Sequence, residues 1–163
     1  MRVEFVETSL RWRASLASKS LARQALAAAL AESRVKLRRG VEVTVHLVDD
    51  AEIRKINAKW RDKDVPTNVL SFPAVEASGV GDTRLLGDIL IAFETVAREA
   101  QEEGKSLADH YCHLVVHGML HLLGFDHIDP IGAETMEGVE RRALALLGVA
   151  DPYAERELSE AGL

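Results

Sequence analysis

An internal disulfide is closed to this chain, because its 163 residues carry a single cysteine, Cys112. A reducing cytoplasm is therefore the expected setting. Also missing is any apolar run near the ~20 residues that cross a bilayer. The N-terminal stretch MRVEFVETSLRWR has no continuous apolar segment of the kind a signal peptide needs, so no membrane association is expected. Internal repeats and low-complexity tracts are absent as well, which argues against solenoids and linker architectures. With 47% hydrophobic residues the chain can bury one core and is short for two, so residues 1–163 are read as one domain.

An overall excess of positive charge is lacking too. The formal net charge is −6, which taken alone argues against a polyanionic partner, since phosphate binding is driven by Lys and Arg displacing counterions. The distribution reverses part of that. Residues 1–61 hold thirteen Lys and Arg against seven Asp and Glu, a local balance of +6, and the rest of the chain is acidic. The densest basic cluster, Arg34, Lys36, Arg38 and Arg39, falls between an expected helix and an expected strand. Such side chains either reach a phosphate backbone or form an ordinary solvated turn.

Residues 1–6 alternate weakly and read as a first strand. SKSLARQALAAALAES, from Ser18, is rich in strong helix formers. Val41, Val43, Val45 and Leu47 alternate with Glu42, Thr44 and His46, the period of a strand with one buried face. Asp49 and Glu52 have capping-box spacing and open a helix that ends before Pro66. NVLSF and LLGDILIA read as two more strands, separated by a glycine-containing loop from about Pro73 to Arg84. From there the pattern is helical. Residues 94–103 run up to Gly104, a second capping box at Ser106 and Asp109 starts a helix that stops at Gly124, and Asp129-Pro130 starts a last helix ending near Gly148. This order points to an α+β fold with helices packed on a small mixed β-sheet.

Six histidines occur, and five fall between positions 110 and 127. His117 and His121, four apart on an expected helix, project from one face and can share one ion. Gly124 lets the chain reverse, so that His127 can return to the same point. His113 is the other candidate for third ligand, but three histidines at i, i+4 and i+8 drift around a straight helix, which favours His127. His46, His110 and His113 are read as structural. The spacing His117-x-x-x-His121-x-x-Gly124-x-x-His127 resembles the ligand set of the metzincin metalloproteases. Three imidazoles leave a fourth tetrahedral position for water, the geometry of a catalytic site for one Zn²⁺ per chain, although nickel, copper or iron also suit imidazole. Asp126 reads either as a hydrogen-bond acceptor behind the third ligand or as a turn cap. Where the proteases place a general-base Glu after the first His, this chain has Gly118, which cannot move a proton.

The string HGMLHLLGFDH, His117 to His127, resembles the signature of the YbeY family of bacterial rRNA-maturation endoribonucleases. NAKWRDKDVPTNVLSFP, Asn57 to Pro73, is similar to that family's other characteristic stretch, and Gly87-Asp88-Ile89 matches a shorter third. Phe125 stands where Tyr is common and Asn68 where Asp is common. The resemblance implies a metal-dependent, single-strand-specific endoribonuclease of 16S rRNA 3′-end maturation and ribosome quality control. It implies zinc ligands at His117, His121 and His127, a functionally important arginine at Arg61, and ribosomal RNA and the small ribosomal subunit with its proteins as partners. Either water or the substrate's own 2′-hydroxyl can serve as nucleophile in such chemistry. Two other readings stand beside it: a metalloprotease-like peptidase, and a ribosome-associated factor whose metal is structural. Nothing in the chain sets an oligomeric state.

Overall fold

The computed structural model describes residues 1–15 and 18–154, and along them strands alternate with helices before helix takes over. Strands β1 (Arg2–Glu7), β2 (Glu42–Val48), β3 (Val69–Pro73) and β4 (Leu85–Ala92) form one sheet in the order β1-β2-β4-β3. β1 and β4 run parallel to β2, whereas β3 is antiparallel to β4 and forms an edge. This is the expected α+β architecture, helices on a mixed sheet.

Alternation along β2 decides which face does what. Val43, Val45 and Leu47 are fully buried in the main core, which they share with α2 (Ser18–Ser33) and α5 (Leu107–Leu122). Glu42, Thr44 and His46 occupy the alternate positions and are only half-buried. Beyond that second face, α3 (Asp50–Arg61) covers one end of the sheet, where Ile53 packs with Val48, Leu70, Leu90 and Ala92. Helix α5 is apolar on nearly every side because it is the centre of the molecule: β3 and β4 lie under it, and α2, α4 (Phe93–Glu102) and α6 (Pro130–Leu146) pack around it. Ala22, Ala25 and Ala29 keep the α2 surface flat enough for close approach. Burial on α5 pushes the Cys112 thiol up to about 11, leaving it protonated and inert at neutral pH.

The start signals act where the sequence places them. Asp49 accepts from Glu52 N–H at 2.8 Å, Ser106 from Asp109 N–H at 3.0 Å, and Asp129 from Gly132 N–H at 2.7 Å. The Glu52 carboxylate has a second use: it receives the Thr8 hydroxyl at 2.6 Å, tying the end of β1 to α3. A short helix, α1 (Leu10–Ala14), has no counterpart in the sequence pattern. It is anchored by Trp12, whose indole N–H donates to the Val48 and Ile91 carbonyls, both at 3.1 Å. One buried residue leaves no period to read. No helix among the described residues is long and apolar enough to cross a membrane.

Candidate metal centre

Helix α5 runs to Leu122, and Gly124 follows its cap at φ +99°. Gly124 N–H donates to the His121 carbonyl at 3.1 Å and Phe125 N–H to the Leu120 carbonyl at 3.0 Å, the paired bonds of a Schellman stop. The chain then doubles back and delivers His127. A Cβ on Gly124 would stand 2.7 Å from the Ala77 Cβ, so both the backbone angle and the space call for glycine.

The three predicted rings converge. The His117 and His121 ring centroids are 4.6 Å apart, and His127 lies 5.5 and 5.2 Å from them. One nitrogen from each ring lies within 4.8 Å of the others. Nε2 of His117 and Nε2 of His121 stand 3.0 Å apart. Nitrogen ligands on a tetrahedral zinc are ~3.3 Å apart, so the donor set fits a divalent ion after small adjustments. Burial, together with the neighbouring His117 and His127 rings, holds His121 down at about 4. Its ring is neutral at pH 7 and its lone pair is available.

His113, the alternative third ligand, points elsewhere. Its Nε2 lies 2.9 Å from Glu140 Oε2, while Glu140 Oε1 lies 2.9 Å from His117 Nδ1, and the Tyr153 hydroxyl reaches Oε2 at 2.7 Å. Burial by itself raises the Glu140 carboxyl, but hydrogen bonds from His113, His117 and Tyr153 outweigh it and bring the group down to about 2. An ionised carboxylate only accepts, so His117 carries its proton on Nδ1 and presents the Nε2 lone pair to His121 and His127. Glu140 is the positioning residue that the histidine spacing does not reveal. A signal was nonetheless present: Glu140 falls on the buried stripe of α6 with Met136, Val139, Ala143 and Leu144, where a charge needs a partner. Glu140→Gln is expected to weaken divalent-metal affinity about 10- to 100-fold, read by competition against a chromophoric chelator. Unchanged affinity would remove Glu140 from this role.

The remaining two histidines each lie against a carboxylate. His46 lies 2.8 Å from Asp88, and His110 lies 2.9 Å from Glu99, which also receives the Asn68 amide at 2.9 Å. Asp126 accepts from Ile128 N–H at 3.2 Å and acts as a turn cap.

The histidines open into a cavity of about 890 Å³, whose walls include Arg61 at the end of α3, Asn68 just before β3, and Ser71 and Phe72 along β3. Arg61, predicted only through the resemblance, is thus brought to the same space as the three rings. Arg34, Lys36, Arg38 and Arg39 are all exposed on the turn between α2 and β2 and do not line the cavity.

Gly118 faces the sheet. A Cβ there would lie 2.9 Å from Ile89 Cγ2 and 3.1 Å from Ser71 Oγ, and Ser71 donates to the Gly118 carbonyl at 3.3 Å. A longer side chain at this crossing of α5 over β3 and β4 would have to displace Ile89 or Ser71.

The profile of the family described as Endoribonuclease YbeY matches residues 8–148. The chain belongs to the Endoribonuclease YbeY family. An Endoribonuclease YbeY from Azorhizobium caulinodans is 48% identical over 154 residues, covering 94% of this chain and 97% of that protein. One from Rhizobium etli is 58% identical over 118 residues, covering 72% of this chain and 69% of the relative. The solution structure of TM1509 from Thermotoga maritima, 24% identical, superposes with a TM-score of 0.57 over 92% of this chain and 97% of that one, and shares its fold. The two segments that carry the resemblance to the Endoribonuclease YbeY family, 57–73 and 117–127, both supply walls of this one cavity.

Proposed function

We propose that this protein is a zinc-dependent endoribonuclease that cuts single-stranded RNA. Its setting is the cytoplasm, in 16S rRNA 3′-end maturation, rRNA processing and ribosome quality control, with the small ribosomal subunit and its proteins as partners. The observation that carries the reading is the meeting of His117, His121, His127 and Arg61 at one cavity in a member of an endoribonuclease family.

A divalent ion held by the three histidines supplies Lewis acidity beside a phosphodiester and lowers the pKa of water. The protein's own groups prepare the rest. Arg61 offers a planar fork of donors to the phosphate. Glu140 keeps the His117 proton on Nδ1, away from the cavity side of the ring. The exposed basic turn guides RNA inward: the 74–84 loop leaves the cavity wall at Ala77 and passes, at Gly81, close to the Lys36 carbonyl.

Gly118 argues against the peptidase reading: it carries no general-base carboxylate, and a Cβ added there would stand 2.9 Å from Ile89 Cγ2. The test is elemental analysis of purified protein beside cleavage of single-stranded RNA and of an unstructured peptide, comparing wild type with His121→Ala. We expect one zinc per chain and RNA cleavage in the wild type, both lost in the variant. Peptide hydrolysis without RNA cleavage, or a His121→Ala protein as active as wild type, would end the proposal.

A further inference from the structure

Beside the cavity one indole stands in water. Trp60 is 65% exposed, whereas the only other tryptophan, Trp12, is 1% exposed. A large aromatic surface left in solvent forgoes the stabilisation that its burial would bring. Its surroundings are specific. The Lys59 ammonium lies over the ring, 5.1 Å from its centroid. On the inner side, the Phe72 ring centroid is 6.4 Å away with the planes inclined at 63°. Phe72 lines the cavity, and so does Arg61, the next residue in the chain. A path of aromatic faces and cations therefore leads from solvent to the three histidines.

We propose that Trp60 is a stacking platform for an unpaired nucleobase next to the phosphate gripped by Arg61. The inference rests on the RNA-cleaving reading above and adds to it how a single strand is chosen. A nucleobase lays its face on the indole while the flanking phosphates meet Lys59 and Arg61, the combination of stacking and backbone charge that suits single strands. Bases inside a duplex are stacked on one another and cannot make this contact. Every base has a π-face, so the platform tolerates sequence. Along the chain Trp60 is flanked by Lys59, Arg61 and Lys63 against one Asp62, a positive balance that suits a phosphate backbone.

The test uses the full, metal-loaded chain and a 2′-O-methyl single-stranded oligoribonucleotide, with duplex and abasic oligomers as controls, alongside cleavage of unmodified RNA. Binding of the single strand is expected to quench Trp60 emission. Trp60→Ala is expected to raise the Kd about tenfold or more, Trp60→Phe to stay within about threefold of wild type, and affinity for the abasic strand to be the same in all three proteins. The emission of Trp12 in Trp60→Ala reports that the fold is intact. A Trp60→Ala protein that binds and cleaves RNA as wild type does overturns the platform and leaves the RNA-cleaving reading standing. The platform also falls if this variant loses only its association with the small ribosomal subunit, which would make Trp60 a protein-docking residue. An equal loss of affinity for base-bearing and abasic strands likewise overturns stacking. A wild-type protein that neither binds nor cuts single-stranded RNA overturns both proposals together.

Discussion

Arg61→Ala is expected to cut RNA about 10²- to 10³-fold more slowly than the wild type while retaining its full metal content. The separation follows from position. Arg61 is the exposed last residue of α3, on the cavity wall and outside the group of three histidines, so removing it leaves the ligands in place. Its contribution to α3 through the helix dipole is at most ~1 kcal/mol, too little to unfold the chain. What is lost is a charge-matched fork for the phosphate as negative charge builds in the transition state. Arg61→Lys restores the charge without the planar fork and is expected to recover only part of the rate. Metal content by elemental analysis and single-turnover cleavage rates are the two measurements. Full activity in Arg61→Ala would take this residue out of the chemistry, and cleavage lost together with the metal would make it a structural residue.

Gly118→Glu is expected to destabilise the fold by at least ~4 kcal/mol, enough to leave much of the chain unfolded. The substitution recreates the protease spacing in sequence, but the new side chain starts at a point 2.9 Å from Ile89 Cγ2. Ile89 is fully buried, so any shift of its side chain disturbs the packing around it. Overpacking costs ~1–3 kcal/mol, and a carboxylate started between Ile89 and Ser71 loses hydration, which costs several more. Gly118→Ala separates the two effects: overpacking remains, and ~1 kcal/mol of helix propensity returns. Urea midpoints for the three proteins give the comparison, with peptide hydrolysis assayed in each. A folded Gly118→Glu protein that cleaves peptides would restore the peptidase reading.

The strands and the longer helices were legible because each carries its own signal. β2 shows its buried face in the alternation of valines, and α3, α5 and α6 each announce their first turn with a side chain that accepts a backbone N–H. The convergence of the three histidines was legible for the same reason: two rings are set by one helical turn and the third by a glycine with positive φ. Helix α1 was not, since its place depends on Trp12 meeting carbonyls from residues 36 and 79 positions away. Glu140 and Trp60 were not assigned roles either. The first acts through a histidine on another helix, and the second gains its meaning from Phe72 across a bend of the chain.

Residue order alone determined the four strands and the helices other than α1, where those helices start and stop, and that three imidazoles can reach one point, because these follow from backbone geometry over a few neighbouring residues. Only the tertiary structure decided that Arg61 shares their cavity, that Glu140 is the carboxylate backing His117, and that position 118 is pressed against Ile89 and Ser71. Those outcomes depend on which surfaces the folded sheet and helices press together, and distances across such contacts are not encoded in the spacing of any one segment.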